Sequence, residues 1–370
     1  MIGGCTWRCR GAVMALTLGA GAAVAQPSVT LYGVVDTAIE HVNRIGTGRG
    51  SVTRMPGITG STPSRWGLRG VEDLGGGLRA VFQLEGGFAV NNGKVTQGGR
   101  LFGRQSWVGL AGSWGELSVG RQFTMSAWAT MFADVLGPTL YGTSNLDMVL
   151  ANPRADNSVA YRGKLGRVTV GGSYSFGRDG VNDGPSFSGQ NCPGGFSADR
   201  RACKQWTAML AYDGEGWNVS TAYDVLRGGP GAFAGLTSSA LRDRRFMLTG
   251  YFLSDGTKVG AGYLRRDNDA SRTQPRSQLW WLGLTHDVTP ALTLGAQATW
   301  LDYRHSPDRT LLLSVLARYS LSRRTALYAT SGYIDNAGQL TTSVSSGAPG
   351  SGTAPGGHQL GMAVGIRHLF

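Results

Sequence analysis

The sequence predicts an all-β protein: a 16-stranded antiparallel transmembrane β-barrel with an inward-folded third loop. Two alternating runs, 101–110 and 116–122, flank the short turn 111–115, and alternating segments of roughly ten residues joined by short turns are typical of barrel strand pairs. From 123 to 154 the alternation stops. Trp128, Phe132 and Tyr141 in that stretch need packing partners, so its composition favours an ordered loop over a disordered one.

Alternating runs recur along the rest of the chain. Sixteen are found, at 29–36, 64–70, 78–88, 101–110, 116–122, 158–161, 168–176, 206–212, 217–223, 244–252, 258–264, 277–285, 292–303, 311–319, 325–333 and 358–370. Short and long connections alternate between them, and an even strand number with short turns on one side is the layout of bacterial outer-membrane barrels. No internal stretch reaches the roughly 18 apolar residues of a spanning helix, and a closed barrel is the other structure that satisfies its backbone in lipid.

Strand parity assigns the two faces, because successive side chains point oppositely. In the run 78–88, Phe82 and Leu84 share the side assigned to lipid, whereas Gln83 and Glu85 share the side assigned to the lumen. A soluble barrel would reverse the assignment, and parity alone leaves both open. Aromatic residues near strand ends are typical of interfacial girdles; those predicted are Trp206, Tyr212, Trp217 and Tyr223.

Residues 1–25 are predicted to be a signal peptide. Arg8 and Arg10 precede an apolar stretch, and Ala23-Val24-Ala25 stands before Gln26, which is the pattern of an export signal with a small-residue cleavage site. A short first helix is the alternative. Residues 26–370 then form one barrel domain, and export favours the membrane barrel over the soluble one.

Cys192 and Cys203 are predicted to form a disulfide within a surface loop. They stand eleven residues apart in a polar, glycine- and proline-containing stretch, and disulfides persist in exported proteins.

The charge and histidine patterns argue against several function classes. The formal net charge is +12, or +10 without Arg8 and Arg10. The arginines that carry it are scattered along the chain with no basic tail, so we expect no nucleic-acid partner. The five histidines are scattered and no glycine-rich phosphate loop precedes a helix. We therefore expect no enzyme, no cofactor and no metal site, with a barrel-embedded hydrolase as the remoter alternative.

Several motifs together resemble the general porins of Gram-negative bacteria, particularly those of the beta-proteobacterial branch. They lie at 26–36 (Gln-Pro-Ser-Val-Thr-Leu-Tyr-Gly-Val-Val-Asp), 64–78, 103–110, 120–122, 157–161 and 366–370, and the resemblance runs the length of the chain after residue 25. It implies a homotrimeric barrel embedded in outer-membrane lipid, which passes small hydrophilic solutes. It also implies that the third loop folds inward opposite a ladder of wall arginines.

The resemblance assigns residues to the pore constriction. Arg65, Arg104 and Arg154 match the wall arginines by motif, and parity places Trp66 opposite Arg65 and Trp107 opposite Arg104. The third loop contains only two acids, so the candidates for its negative side are Asp134 and Asp147. Glu85 joins this set from the lumen face. The loop is otherwise hydrophobic, a departure from the more acidic loops of many relatives.

Two further residues receive roles outside the constriction. Arg121 is in register with Leu117 and Val119, which predicts an outer-face position and a contact with a trimer partner. Phe370 closes a register of apolar residues along 360–370. In the porins that the sequence resembles, such a terminal aromatic residue is read by the barrel-assembly machinery.

The resulting functional hypothesis is an anion-favouring diffusion channel, because rings of charge at a constriction set ion selectivity. A substrate-selective channel is the alternative. It would show a line of aromatic residues along one lumen wall, for which Tyr32 and Tyr328 are the candidates by parity.

Overall fold

The computed structural model describes residues 28–147, 150, 153–178, 192, 194–195, 198–230, 232 and 235–370. The predicted signal peptide, 1–25, lies outside the described residues and stays a prediction. Within the described part, no helix combines the length and apolar composition needed to cross a bilayer.

Almost all of the regular structure is β-strand. The strands are β1 (Ser28–Ile45), β2 (Gly50–Arg54), β3 (Arg65–Gly75), β4 (Leu78–Gly87), β5 (Gln105–Gly112), β6 (Gly115–Phe123), β7 (Arg154–Leu165), β8 (Val168–Ser175), β9 (Gln205–Asp213), β10 (Trp217–Arg227), β11 (Arg242–Ser254), β12 (Thr257–Asn268), β13 (Arg276–Asp287), β14 (Leu292–Tyr303), β15 (Arg309–Ser320), β16 (Thr325–Ala337) and β17 (His358–Leu369). One α-helix, α1 (Met125–Thr130), and one 3-10 turn (Thr143–Asn145) lie between β6 and β7.

The strands form a closed antiparallel barrel with 16 wall strands, as the sequence predicts. From β3 onward each strand pairs with the next, and β17 pairs with β1, which also pairs with β3. Within the described ranges, the short strand β2 pairs with the C-terminal part of β1, from Glu40 to Ile45. It lies in the segment 43–60, which the sequence predicts as a loop, because its five residues, Gly-Ser-Val-Thr-Arg, include a single apolar side chain larger than glycine and give a weak alternating pattern.

The two faces of the wall have opposite chemistry. Large apolar side chains that point outward are strongly exposed, for example Leu31 at 58%, Leu282 at 60% and Val364 at 60%. Their neighbours along the strands face a lumen in which the buried residues include many polar ones. This apolar-out pattern is that of a membrane barrel, so the soluble alternative is excluded.

Aromatic pairs mark both ends of the outer face. Trp206 and Tyr223 have ring centroids 5.6 Å apart next to the long loops, and Tyr212 and Trp217 are 5.4 Å apart next to a short turn. Rings of this kind settle at the headgroup level of a bilayer, so their two levels delimit the membrane-spanning part of the wall.

Phe370 lies on the outer face of the seam that closes the barrel. Its backbone exchanges two hydrogen bonds with Gly33 on β1, of 2.9 and 3.1 Å. The Phe370 ring occupies the space that a side chain at position 33 would need, so glycine is required there by close approach. The ring is 44% exposed and faces lipid, in the register predicted from the sequence.

Cys192 and Cys203 are joined by a disulfide on the long-loop side. Both are fully buried and pack with Leu236 and Ala232 of the neighbouring loop, and the Cys203 amide donates to the Gly228 carbonyl at 2.9 Å. The crosslink therefore closes one loop on itself and packs it against the neighbouring loop, outside the strand ladders.

Replacing both cysteines, Cys192→Ser with Cys203→Ser, should leave the barrel transition nearly unchanged. Closing a loop of roughly 12 residues contributes about 3 kcal/mol in the chain-entropy model, but that contribution acts on loop ordering rather than on the ladders. Thermal unfolding in detergent, followed by the β-sheet circular dichroism signal, tests this, with reduced wild type as the control. A large fall in the midpoint would show that the crosslink holds the wall itself.

Candidate functional site

The segment 124–153, called loop 3 here, enters the barrel and lies against one side of the lumen. It begins with α1, whose first amides are capped by the Thr124 hydroxyl accepting from the Ala127 amide. Tyr141 and Leu140 are fully buried, and Met125 almost so. Loop 3 is thus an ordered part of the channel, as the composition of the sequence predicts.

Polar side chains of the wall hold loop 3 in place. The wall hydroxyls of Thr249 and Ser314 donate to loop carbonyls at 2.5 and 2.6 Å. The Gln297 amide reaches the Asp134 carboxylate at 2.8 Å and the Thr143 hydroxyl at 2.7 Å. These anchors come from β11, β14 and β15, so loop 3 covers that part of the wall, while its first residues also reach β7 and β8, where Trp128 stacks on Arg162 and Met125 adjoins Gly171.

Inward-facing glycines give loop 3 the room to approach the wall. Gly332 and Gly361 pair across β16 and β17, and a Cβ on either would lie 2.6 Å from atoms of the Tyr141 side chain. Gly260, Gly283 and Gly295 similarly adjoin Ala133, Val135 and Leu136. Glycine inside a strand often marks close approach of another backbone, and this signal, readable in the sequence, was missed.

On the facing wall, Arg65, Arg104, Arg154 and Glu85 form the arginine cluster. The Arg104 Nε lies 2.7 Å from Glu85 Oε1, and the Arg65 Nε lies 3.6 Å from Glu85 Oε2. The Tyr32 hydroxyl donates to the same carboxylate at 3.0 Å. The structure thus brings together the three arginines and the acid that the sequence analysis assigns to the constriction.

The members of the cluster differ in how open they are to the lumen. The Arg65 side chain is 26% exposed, against 9% for that of Arg104. Arg154 is buried, and its guanidinium stands 4.7 Å from the centre of the Phe123 ring. Arg65 is therefore the member that a passing ion meets most directly.

Parity does not explain the position of Arg104. β5 begins at Gln105, so Arg104 belongs to the preceding loop. Trp107 shares the lumen face with Gln105, whose side-chain oxygen accepts a 3.0 Å hydrogen bond from the indole. The prediction that Trp107 lies opposite, on the outer face, is wrong because the strand starts later than the sequence run.

The two acids of loop 3 do not point into the opening. Asp147 accepts from the Arg245 Nε at 3.0 and 3.1 Å, and Arg245 is fully buried in the wall. Asp134 faces Gln297, and burial raises the pKa of Asp134 to about 6 although that hydrogen bond favours the charged form. The expectation of a negative side on the loop is corrected: both carboxylates face the wall behind it.

Arg121 also differs from its predicted setting. Its Nε donates to the Gly103 carbonyl at 2.6 Å, and its Nη1 forms an ion pair with Asp156. A register shift between Gly120 and Gln122 and the adjoining segment around Gly103 leave the side chain only 7% exposed. Outward parity holds, but the guanidinium is used within its own chain, so a subunit contact through Arg121 has no support.

Among the described residues, no group of three or more His, Cys, Asp or Glu side chains could hold a metal ion. The side chains that converge on the opening are instead cationic. A polar lumen, an apolar outer face and a loop that narrows the passage define an outer-membrane diffusion channel.

The chain belongs to the Gram-negative porin family, whose model matches residues 12–339. It is 31% identical to an outer membrane porin protein of Bordetella pertussis, over 95% of this chain and 96% of that protein. It is 28% identical to outer membrane porin protein 32 of Delftia acidovorans, over 96% and 98%. A solved anion-selective porin from Comamonas acidovorans superposes with a TM-score of 0.75 at 24% identity, over 93% of this chain and 100% of that one; this likeness shows the shared fold.

Asp147→Asn should loosen loop 3. Leaving a buried charge without any partner costs about 3–5 kcal/mol, and the loss here should be smaller because Arg245 keeps Asp243, 3.1 Å away. Because the strand ladders remain, we expect the loss to appear as increased open-channel current noise as well as lower stability in denaturant.

Asp134→Asn is the matched control on the same loop. A carboxyl whose pKa is raised on folding stabilises the folded state less as the pH rises through about 4 to 6. At about pH 7.5 its replacement by a neutral amide should therefore cost no stability. Equal noise and equal destabilisation in the two variants would contradict the ion-pair tether.

Proposed function

We propose that the channel favours anions while remaining a general diffusion path for small hydrophilic solutes and ions. The observation that carries this proposal is the asymmetry of charge across the opening. The wall side contributes three arginines against one glutamate, and both acids of loop 3 are turned toward the wall, where Asp147 pairs with Arg245 and Asp134 accepts from Gln297. Fixed charge at a constriction sets the sign of ion selectivity.

A further basic residue, Arg69, is exposed on the lumen face of β3 and extends the positive field along the same wall. Arg79 on β4 stands directly across from Asp73 on β3 and adds little net charge. The similar porin from Comamonas acidovorans is described as anion-selective, which agrees with the proposal. Selectivity then follows from electrostatics, with no need for a solute-specific contact.

We also propose that the protein works as a homotrimer and that Phe370 serves as an assembly signal. One of the similar solved structures, an outer membrane protein of Vibrio cholerae, is described as a trimer form. Phe370 lies half-exposed on the lipid face at the closing seam, where a partner protein can reach it before the barrel closes.

The wild-type channel should show chloride preference in a KCl gradient across a planar bilayer. Arg65→Gln removes the most exposed charge of the cluster and should lower the anion-to-cation permeability ratio by a few-fold. Arg323→Gln, on an exposed short turn, removes the same charge far from the opening and should leave the ratio unchanged. A reversal potential that shows cation preference in the wild type would overturn the proposal.

The variant Phe370→Ala distinguishes a packing role of this residue from recognition of the residue by the assembly machinery. Since the ring is 44% exposed, packing alone predicts a loss of about 1–2 kcal/mol, below the values of fully buried sites. An assembly signal predicts that trimer yield in the outer membrane falls much further than refolding yield in detergent. If both yields fall in equal proportion, the residue acts only through packing.

A further inference from the structure

A second polar site lies on the lumen wall beside the arginine cluster. It is an alcove of about 180 Å³ on β4–β7, between the start of loop 3 and the short turns. It is called the wall alcove here. Along β6, Glu116 lies at the short-turn end, Ser118 comes next on the lumen face, and Gln122 lies beside loop 3. The wall alcove therefore lies on the same lumen wall as the arginine cluster, nearer the short turns.

Two opposite charges face each other in the wall alcove without closing into a salt bridge. Glu116 and Arg162 are direct cross-strand neighbours on the lumen faces of β6 and β7. Among the described residues, neither forms a salt bridge or hydrogen bond, and the guanidinium instead lies 3.7 Å from the centre of the Trp128 ring. Cross-strand neighbours have Cβ atoms about 5 Å apart, so a carboxylate and a guanidinium stand side by side with their hydrogen-bonding atoms unused.

The Trp128 ring explains why the pair does not close on itself. Stacking over an aromatic face is favourable for a guanidinium, and it holds Arg162 toward loop 3, away from Glu116. Phe123 packs edge-on against Trp128, with centroids 6.0 Å apart, and so fixes the ring from its other side. The separation of the two charges is therefore built into the packing of loop 3.

The rest of the lining is mixed, with an apolar and aromatic side formed by Trp107, Phe123 and Met125. Trp107 is oriented by its hydrogen bond to Gln105. The polar part of the lining consists of Gln83, Gln105, Ser118 and Gln122. Cavities of about 150 Å³ with apolar walls can hold a benzene molecule, so 180 Å³ admits a branched aliphatic side chain of amino-acid size.

We propose that the wall alcove is a binding subsite for small zwitterions, specifically α-amino acids with an apolar side chain. The ammonium group pairs with Glu116, the carboxylate with Arg162, and the side chain lies against Trp107 and Met125. A simple anion pairs with Arg162 but is repelled by Glu116. A simple cation pairs with Glu116 but is repelled by Arg162. The subsite thus discriminates by the presence of both charges on one small molecule, which the arginine cluster does not.

This inference uses the channel, but it does not depend on the anion preference. A zwitterion carries no net charge, so its residence in the wall alcove is independent of the sign of the reversal potential. The two proposals are therefore tested by different readouts and can fail separately.

The experiment measures current fluctuations of the folded wild-type channel in planar bilayers with KCl on both sides at neutral pH. L-leucine is added, and in separate runs two analogues that each lack one charge, 3-methylbutylamine and 4-methylpentanoate. We expect concentration-dependent excess noise with L-leucine, at an apparent affinity at least tenfold above that of either analogue. Equal affinity for 4-methylpentanoate, or no excess noise with L-leucine, would overturn the subsite.

Three variants locate the effect. Glu116→Gln and Arg162→Gln should each weaken L-leucine binding at least tenfold. Lys164→Gln is the matched control, since Lys164 lies two residues along the same lumen face and pairs with Asp213 at 3.1 Å; it should bind like wild type. Single-channel conductance and heat-resistant migration in detergent gels confirm that each variant forms the channel. Wild-type binding in Glu116→Gln would exclude ammonium recognition.

Discussion

The structure of the opening depends on the seating of loop 3 against one part of the wall. Donors from β11, β14 and β15 satisfy backbone and side-chain acceptors of the loop, and an enclosed segment without such partners would be strongly destabilised. Glycines on β16 and β17 leave space for Tyr141. Once loop 3 covers its part of the lumen, the side chains of the arginine cluster and of the wall beside it determine what a solute meets.

Lipid is the reason that so much of the wall can be predicted from sequence. A strand between lipid and water tends to alternate in polarity with a period of two, and in 280–284 and 311–319 every outward position is apolar or aromatic. The inner face departs from the pattern under loop 3, where Leu279, Trp281 and Leu312 are buried. The faces of both runs in the structure agree with parity. The seam register of 358–370 was predictable for the same reason, because each outward residue there is apolar or aromatic up to Phe370, apart from His358 and His368.

Parity fails where the backbone departs from a regular strand. Gly120 and Asn157 both have positive φ, and the pairing of β6 with β7 shifts between Gly120 and Gln122. The environment of Arg121 follows from this irregularity and could not be derived from alternation. The orientation of Asp147 was equally inaccessible, since its partner Arg245 lies 98 residues away in sequence. Local pattern identifies which loop holds an acid, but tertiary pairing decides which way the acid points.

The position of Glu85 resolves a conflict between selectivity and folding. Three guanidinium groups in one region of a narrow lumen repel one another, and like charges become costly where water is sparse. Glu85 holds Arg104 at 2.7 Å and Arg65 at 3.6 Å, which offsets that repulsion without cancelling the excess positive charge. Because the shorter contact is to the more buried arginine, the carboxylate neutralises mainly the charge that solutes do not reach. Arg65 keeps the looser contact and the greater exposure, so the acid stabilises the cluster while the attraction of Arg65 for anions is retained.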